Sequence, residues 1–163
     1  MKKIMAIILT SIFLIVPVLA RQPEQDLTAQ PKVRFAPLHI YLDSSNKLLA
    51  AYQFELKAAA GQIKIVGVEG GQHKAFKEAP YYDPAALAND RIIIAAFNTG
   101  RELPKGRTRI ATIHLQIIGD AEPDYELKLT VAADADAKEI PAKISFETRL
   151  GEGLRRSGKG EQK

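Results

Sequence analysis

The residues best suited to contact a ligand lie in one long connecting segment, residues 69–90, which is rich in aromatic and acidic side chains. Aromatic rings supply a large contact area at little entropic cost, so Tyr81 and Tyr82 could stack on a sugar or on a partner's side chain. The favoured alternative is that one ring caps the core, in part because the chain has no Trp, the usual flat sugar platform. The candidate binding residues are Phe76, Tyr81, Tyr82 and Asp83 in this segment, and Arg101 beyond it.

An acidic run near the end of the domain has oxygen ligands of the kind that calcium prefers. Asp134, Asp136 and Glu139 place carboxylates as they occur at the start of a calcium-binding loop. The glycine that such a loop needs at its sharp turn is missing, so the run is interpreted as a solvated hairpin turn before Ile140. We predict no metal site and no cofactor.

The histidines and the paired glycines do not have the spacing of a catalytic site or a phosphate-binding loop. His39, His73 and His114 come from a predicted strand, a loop and a later strand, and we expect His39 and His114 on the polar faces of their strands. Gly70 and Gly71 are not followed by the Lys-Ser or Lys-Thr pair of a phosphate-binding loop. The prediction is therefore a protein without enzymatic activity. A deep cleft that brought His73 or His114 onto a carboxylate would favour the enzymatic alternative.

The charge distribution argues against a nucleic-acid-binding surface. Lys2, Lys3 and the excess of basic residues in 151–163 account for the whole formal net charge of +4, so residues 21–150 are close to neutral. One local basic cluster is predicted to be a solvated loop and strand face, with a contact to an acidic partner as the alternative. It consists of Arg101, Lys105, Arg107 and Arg109.

The first 20 residues have the pattern of a secretory signal peptide. Lys2 and Lys3 precede an apolar run over residues 4–19, and cleavage is predicted after Ala20. The run is shorter than the ~20 residues of a membrane-spanning helix; an uncleaved anchor is the alternative. We therefore expect an exported protein that is periplasmic, on the cell surface or extracellular.

The remainder of the chain is predicted to form one domain. Residues 21–31 are polar and contain two prolines, which favours a linker, whereas the glycine-rich, charged residues 151–163 predict a disordered basic tail. Residues 32–150 lie between them. The chain has no cysteine, which excludes disulfides and the attachment of a lipid to an N-terminal cysteine.

Alternation of apolar and polar residues predicts an all-β sandwich. A turn at residues 43–47 predicts a hairpin between the first two strands, and the nearly continuous apolar run 91–97 predicts a central strand covered on both faces. Asp83 and Pro84 predict a single helical turn over residues 84–87, capped by Asp83. Predicted strands lie at residues 38–43, 50–57, 62–68, 91–97, 107–118, 125–131 and 140–146.

Several of these segments together resemble a cohesin-type domain. The resemblance covers roughly residues 33–148, and the order and spacing of the segments agree with that family. The segments are LAAYQFEL at 49–56, IKIVGVEGG at 63–71, RIIIAAF at 91–97, and LPKG at 103–106 leading into IATIHL at 110–115.

The resemblance implies a jelly-roll sandwich of about eight or nine strands, immunoglobulin-like in appearance and related to bacterial carbohydrate-binding modules. Cohesins bind calcium-loaded dockerin modules through one sheet face. The implied function is a secreted or cell-surface module that binds another extracytoplasmic protein, with a dockerin-like module among the candidates. The alternatives are a carbohydrate-binding module that recognises a polysaccharide, and a structural subunit that adds a strand to a partner's sheet.

Overall fold

Strands make up most of the part of the chain that the structure describes, because its apolar residues recur at every second position. The computed structural model describes residues 31–150 and 153–160, which belong to one compact unit. The predicted signal peptide and residues 21–30 of the predicted linker lie outside the described residues. The strands are β1 (Val33–Asp43), β2 (Ala51–Ala60), β3 (Gln62–Gly70), β4 (Tyr81–Tyr82), β5 (Arg91–Phe97), β6 (Arg107–Ile118), β7 (Asp124–Ala133), β8 (Lys143–Leu150) and β9 (Gly153–Gly160).

These strands form two antiparallel sheets. The five-stranded sheet has the order β3-β6-β1-β8-β9, and the four-stranded sheet has the order β4-β5-β2-β7. The all-β sandwich predicted from the sequence is confirmed. Helix within residues 31–150 and 153–160 is limited to two 3₁₀ turns, at Lys74–Phe76 and Pro84–Ala86, and neither could span a membrane.

The core consists of the inward side chains of both sheets. Leu38, Ile40 and Leu42 of β1 are fully buried, as are Phe54 and Leu56 of β2, so the faces predicted from alternation are confirmed. Each such side chain stabilises the fold by about 1.5–3 kcal/mol through its removal from water.

A buried tyrosine links the two sheets. The hydroxyl of Tyr52 on β2 donates a 2.9 Å hydrogen bond to the backbone oxygen of Ile110 on β6. Burial raises the pKa of Tyr52 well above its ordinary value, so the ring stays neutral.

The predicted hairpin between β1 and β2 is wrong, because these strands belong to different sheets. The connection between them crosses the end of the sandwich, where the N–H of Ser44 donates to Gly106 and that of Leu49 donates to Pro104. β2 and β3 also belong to different sheets, although Gly61 alone separates them. Gly61 has φ +85°, and a Cβ there would lie 3.0 Å from Cα of Pro123, so glycine suits this sharp corner.

Two further expectations differ from the structure. β5 is covered on one face only, since a strand in a two-layer sandwich has a single inner face; the prediction of coverage on both faces is wrong. The backbone of Gly153–Gly160 forms β9, antiparallel to β8, within the segment expected to be a disordered tail. Antiparallel pairing uses backbone groups, so it does not depend on an apolar sequence there.

Candidate binding surface

The outer face of the four-stranded sheet carries large apolar side chains in contact with solvent. Tyr81 on β4 is 70% exposed, Phe97 and Ile93 on β5 are 65% and 46% exposed, and Val131 on β7 is 39% exposed. We refer to these four residues as the apolar patch. Their inward neighbours on β5, Ile92 and Ile94, are buried, so the strand divides its isoleucines between the core and the surface.

Strand pairing brings the residues of the apolar patch together. Tyr81 lies opposite Ala95, and Gln53 of β2 lies between Ala95 and Val131. The rings of Tyr81 and Phe97 are nearly parallel, with an interplanar angle of 11° and centroids 6.1 Å apart. Offset aromatic pairs at this distance attract each other, so the two rings form one continuous aromatic surface.

A shallow groove of about 480 Å³ adjoins the apolar patch. Asp83 caps the second 3₁₀ turn by accepting a 2.9 Å hydrogen bond from the N–H of Ala85, which confirms the predicted helical turn and its cap. Beyond the turn, Ile65 of β3 exchanges two backbone hydrogen bonds with residues 88–89. These bonds fix the connection that forms one wall. The lining residues are Tyr81, Tyr82, Asp83, Ala86, Arg91, Ile92, Ile93 and Ala95.

A charged strip continues the same sheet face on the other side of the groove. Arg91 donates from Nε to Oε1 of Glu55, which lies on the neighbouring strand. This hydrogen bond lowers the pKa of Glu55 and raises the pKa of Arg91. The strip thus carries charges of both signs beside the apolar patch. It consists of Glu55, Lys57, Arg91, Glu126 and Lys128.

The candidate residues predicted from the sequence are only partly brought together. Tyr81, Tyr82 and Asp83 line the groove. Tyr82, however, is half-buried and packs against the core, which agrees with the alternative that one of the two tyrosine rings caps the core. Phe76 is buried and meets the ring of Tyr52 edge-on, with centroids 5.1 Å apart. Arg101 is exposed on the connection between β5 and β6 and is not part of the groove lining.

The sequence predictions missed Phe97, Ile93 and Val131. The continuous apolar run of β5 suggested a strand buried on both sides, which concealed its outward residues. The available signal was the fold class itself: in a two-layer sandwich every second residue of a strand must face solvent. Applied to residues 91–97, that rule assigns Ile93 and Phe97 to the surface once Ile92 and Ile94 are assigned to the core.

The outer face of the five-stranded sheet is polar along the middle of β1 and β6, whereas Val33 and Phe35 at the start of β1 and Val66 on β3 are exposed apolar residues. Nδ1 of His39 lies 3.0 Å from Oγ1 of Thr112, and Nε2 of His114 lies 3.1 Å from Oε1 of Glu69. Both histidines are on the outer face of their strands, as expected. His73 caps the first 3₁₀ turn by accepting from the N–H of Ala75.

Within the predicted basic cluster, Arg107 makes two contacts on this face. Nη2 of Arg107 donates to Oε1 of Glu147 at 2.7 Å, and its guanidinium lies 3.7 Å above the ring centre of Tyr41. Glu147 is almost fully buried, so the ion pair belongs to the fold. Arg101 and Lys105 are exposed.

The acidic run near β8 forms a turn. Oδ1 of Asp134 accepts hydrogen bonds from the N–H groups of Asp136 and Lys138, each at 3.0 Å, so one carboxylate closes the turn on its own backbone. In the part of the chain that the structure describes, no group of three or more His, Asp or Glu side chains is close enough to hold a metal ion.

Comparisons with known proteins gave no relative: no protein-family model, no curated protein and no solved structure matches the chain. The resemblance to cohesin-type domains therefore stays a prediction from the sequence segments. Any assignment of function rests on the surfaces described above.

Proposed function

We propose that the protein is a non-catalytic binding module that contacts another protein through the apolar patch. The observation that carries this proposal is the exposure of Tyr81, Ile93 and Phe97 side by side on one sheet face. Contiguous exposed apolar residues contribute little to a fold, and in soluble proteins such patches mark contact sites. Because the sequence predicts export, the expected partner is another extracytoplasmic protein, for which a dockerin-like module is one candidate.

The arrangement of the surface favours a protein as the partner. Protein interfaces combine an apolar, aromatic centre with a polar rim, and the apolar patch has the charged strip at its border. The strip contains Glu55 and Arg91 in a mutual ion pair, with Lys57, Glu126 and Lys128 around them. A surface with both signs of charge can align a partner by complementary charges at the rim.

One observation favours carbohydrate binding as a second candidate. The nearly parallel rings of Tyr81 and Phe97 form an aromatic surface on which a sugar ring could stack. Such a module would bind a polysaccharide through the same two residues. The two candidates therefore share a surface and differ in the ligand, which an experiment can separate.

The test compares the two rings of the apolar patch with a similarly exposed ring on the other sheet. Tyr81→Ser with Phe97→Ser removes the aromatic surface, whereas Phe35→Ser alters a similarly exposed ring (69%) on the other sheet, where it lies opposite Gln116. The wild type, the double variant and Phe35→Ser are each immobilised and exposed to secreted and cell-envelope fractions of the source organism. The same three proteins are also applied to a glycan array. Bound proteins are quantified by mass spectrometry. Thermal unfolding of each variant checks that the fold is retained.

We expect at least one protein to bind the wild type and Phe35→Ser and to be lost, by tenfold or more, from the double variant, as for central aromatic residues of an interface (~1.4 kcal/mol or more). If no protein shows this pattern but a glycan binds the wild type and Phe35→Ser and is lost from the double variant, the carbohydrate-binding candidate replaces this proposal. Equal binding by the double variant and the wild type would show that the apolar patch is not the contact surface.

A further inference from the structure

β7 forms one edge of the four-stranded sheet, and β2 is its partner strand. At the end of β7, Ala133 also pairs with Glu139 and the N–H of Ile140 donates to the backbone oxygen of Ala132, so the open edge is the part of β7 before these residues. In an antiparallel strand the N–H and C=O of one residue point to the same side, and those of the next residue point to the opposite side. On β2 the N–H of Ala58 bonds to Asp90 at the end of β5. Even-numbered residues of β2 therefore bond toward β5, and odd-numbered residues bond toward β7.

This alternation identifies the backbone groups on the open edge of β7. Glu55 lies opposite Lys128 and Lys57 lies opposite Glu126, so Glu126 and Lys128 direct their backbone toward β2. The residues between and beside them, which are Tyr125, Leu127 and Leu129, direct theirs away from the sheet. Independent support comes from the N–H of Tyr125, which donates to the carboxylate of Asp124 at 2.9 Å. The carboxylate of Asp124 thus satisfies one of the backbone donors on the open edge.

We propose that two copies of this chain pair through the open edges of β7, antiparallel, about a two-fold axis at Leu127. This goes beyond the proposed function, which concerns the sheet face. Around that axis Leu127 lies opposite its own counterpart and Tyr125 lies opposite Leu129 of the second copy. Those are the residues with outward backbone groups, so the pairing follows the ordinary antiparallel ladder once Leu129 of the second copy replaces the Asp124 carboxylate at the N–H of Tyr125. It joins the two four-stranded sheets into one.

Charge complementarity favours a second copy of this chain as the partner at the open edge of β7. On the outer face, the same axis places Glu126 opposite Lys128 of the second copy, and Lys128 opposite Glu126. Directly opposite residues of unlike charge stabilise an antiparallel pair, and the two-fold axis creates this match twice. On the inner side Tyr125, Leu127 and Leu129 are buried in the core of each copy, so pairing leaves both cores intact.

The test uses two variants that each make the edge uniform in charge. Lys128→Glu gives two acidic positions and Glu126→Lys gives two basic positions. Sedimentation equilibrium is measured for the wild type, for each variant and for their equimolar mixture. Lys47→Glu is the control, because it makes the same charge change at an exposed loop position outside the strands. Thermal unfolding verifies that every variant folds.

We expect the wild type and Lys47→Glu to dimerise equally, and each edge variant alone to dimerise about tenfold more weakly. The mixture should recover the wild-type affinity as a heterodimer, because acidic and basic edges then face each other. A wild type that stays monomeric to millimolar concentration would overturn the proposal. So would edge variants that dimerise as tightly as the wild type.

Discussion

Two regions of the outer faces differ in whether their side chains find partners within the chain: the middle of β1 and β6 on the five-stranded sheet, and the apolar patch on the four-stranded sheet. On the five-stranded sheet Thr112 meets His39, and Arg107 meets Glu147 and the ring of Tyr41. On the four-stranded sheet Tyr81 and Phe97 meet each other and solvent. Contacts within the chain stabilise the fold, whereas exposed rings gain their largest energy from a surface that covers them. If the apolar patch is the contact surface, as we propose, this difference separates a structural face from a contact face.

The largest effect should come from two adjacent isoleucines of β5. Ile94→Ala removes a fully buried side chain and should lower the free energy of unfolding by about 2–5 kcal/mol. Ile93→Ala removes the same atoms from the apolar patch and should change the free energy of unfolding by less than about 0.5 kcal/mol. Chemical denaturation of both variants checks this. Equal losses at the two positions would mean that the outer face is part of a covered core.

The next effect concerns the ion pair on the five-stranded sheet. Arg107→Met should lower the free energy of unfolding by about 1–2 kcal/mol, because a charged hydrogen bond to the buried carboxylate of Glu147 is lost. Lys105→Met is the matched control at an exposed neighbouring position and should be nearly neutral. Denaturant melts of the two variants give the comparison. A neutral Arg107→Met would remove this pair from the account of the structural face.

A smaller effect is expected at Thr112. Thr112→Val keeps the shape of the side chain but deletes the hydroxyl that lies 3.0 Å from Nδ1 of His39, so stability should fall by about 0.5–1.5 kcal/mol. Thr130→Val makes the same change at an exposed position of β7. Thermal unfolding should show a lower melting temperature for Thr112→Val than for Thr130→Val. Identical melting temperatures would contradict the structural role of the hydroxyl.

The smallest effect is a pH dependence within the charged strip. Since the hydrogen bond from Arg91 lowers the pKa of Glu55 in the folded protein, it adds stability above the ordinary pKa of 4.5, and that stability is lost as the pH falls through the lowered value. The stability difference between the wild type and Glu55→Gln should therefore shrink between about pH 6 and about pH 3. A difference that is constant over this range, measured by denaturant unfolding, would contradict the assignment.

Local patterns predicted the strands but not their partners. Alternation placed β5 at residues 91–97 and β6 at residues 107–118, with the bounds that the structure has. The sheet to which each strand belongs depends on contacts distant in sequence, so the turn after β1 was interpreted as a hairpin although β1 pairs with β6 and β8. The two-residue β4 is too short to produce a periodic signal.

The candidate site was predictable in part for the same reason. Tyr81 and Asp83 stand out in a loop by residue type alone, and both line the groove. Phe76 has the same residue type but is buried, since its exposure depends on the packing of Tyr52 across the sandwich. Phe97 joins the apolar patch only through its contact with Tyr81, which lies 16 positions earlier in the chain. Such a juxtaposition follows from strand pairing and not from spacing.

Site-specific photo-crosslinking distinguishes the four-stranded sheet from the five-stranded sheet as the proposed contact face. p-Benzoylphenylalanine is incorporated in place of Phe97 in one protein and in place of Phe35 in another. Each is then irradiated in the presence of envelope and secreted fractions. We expect a discrete protein adduct from position 97 and none from position 35. An adduct from position 35 alone, or none from position 97, would contradict the proposal.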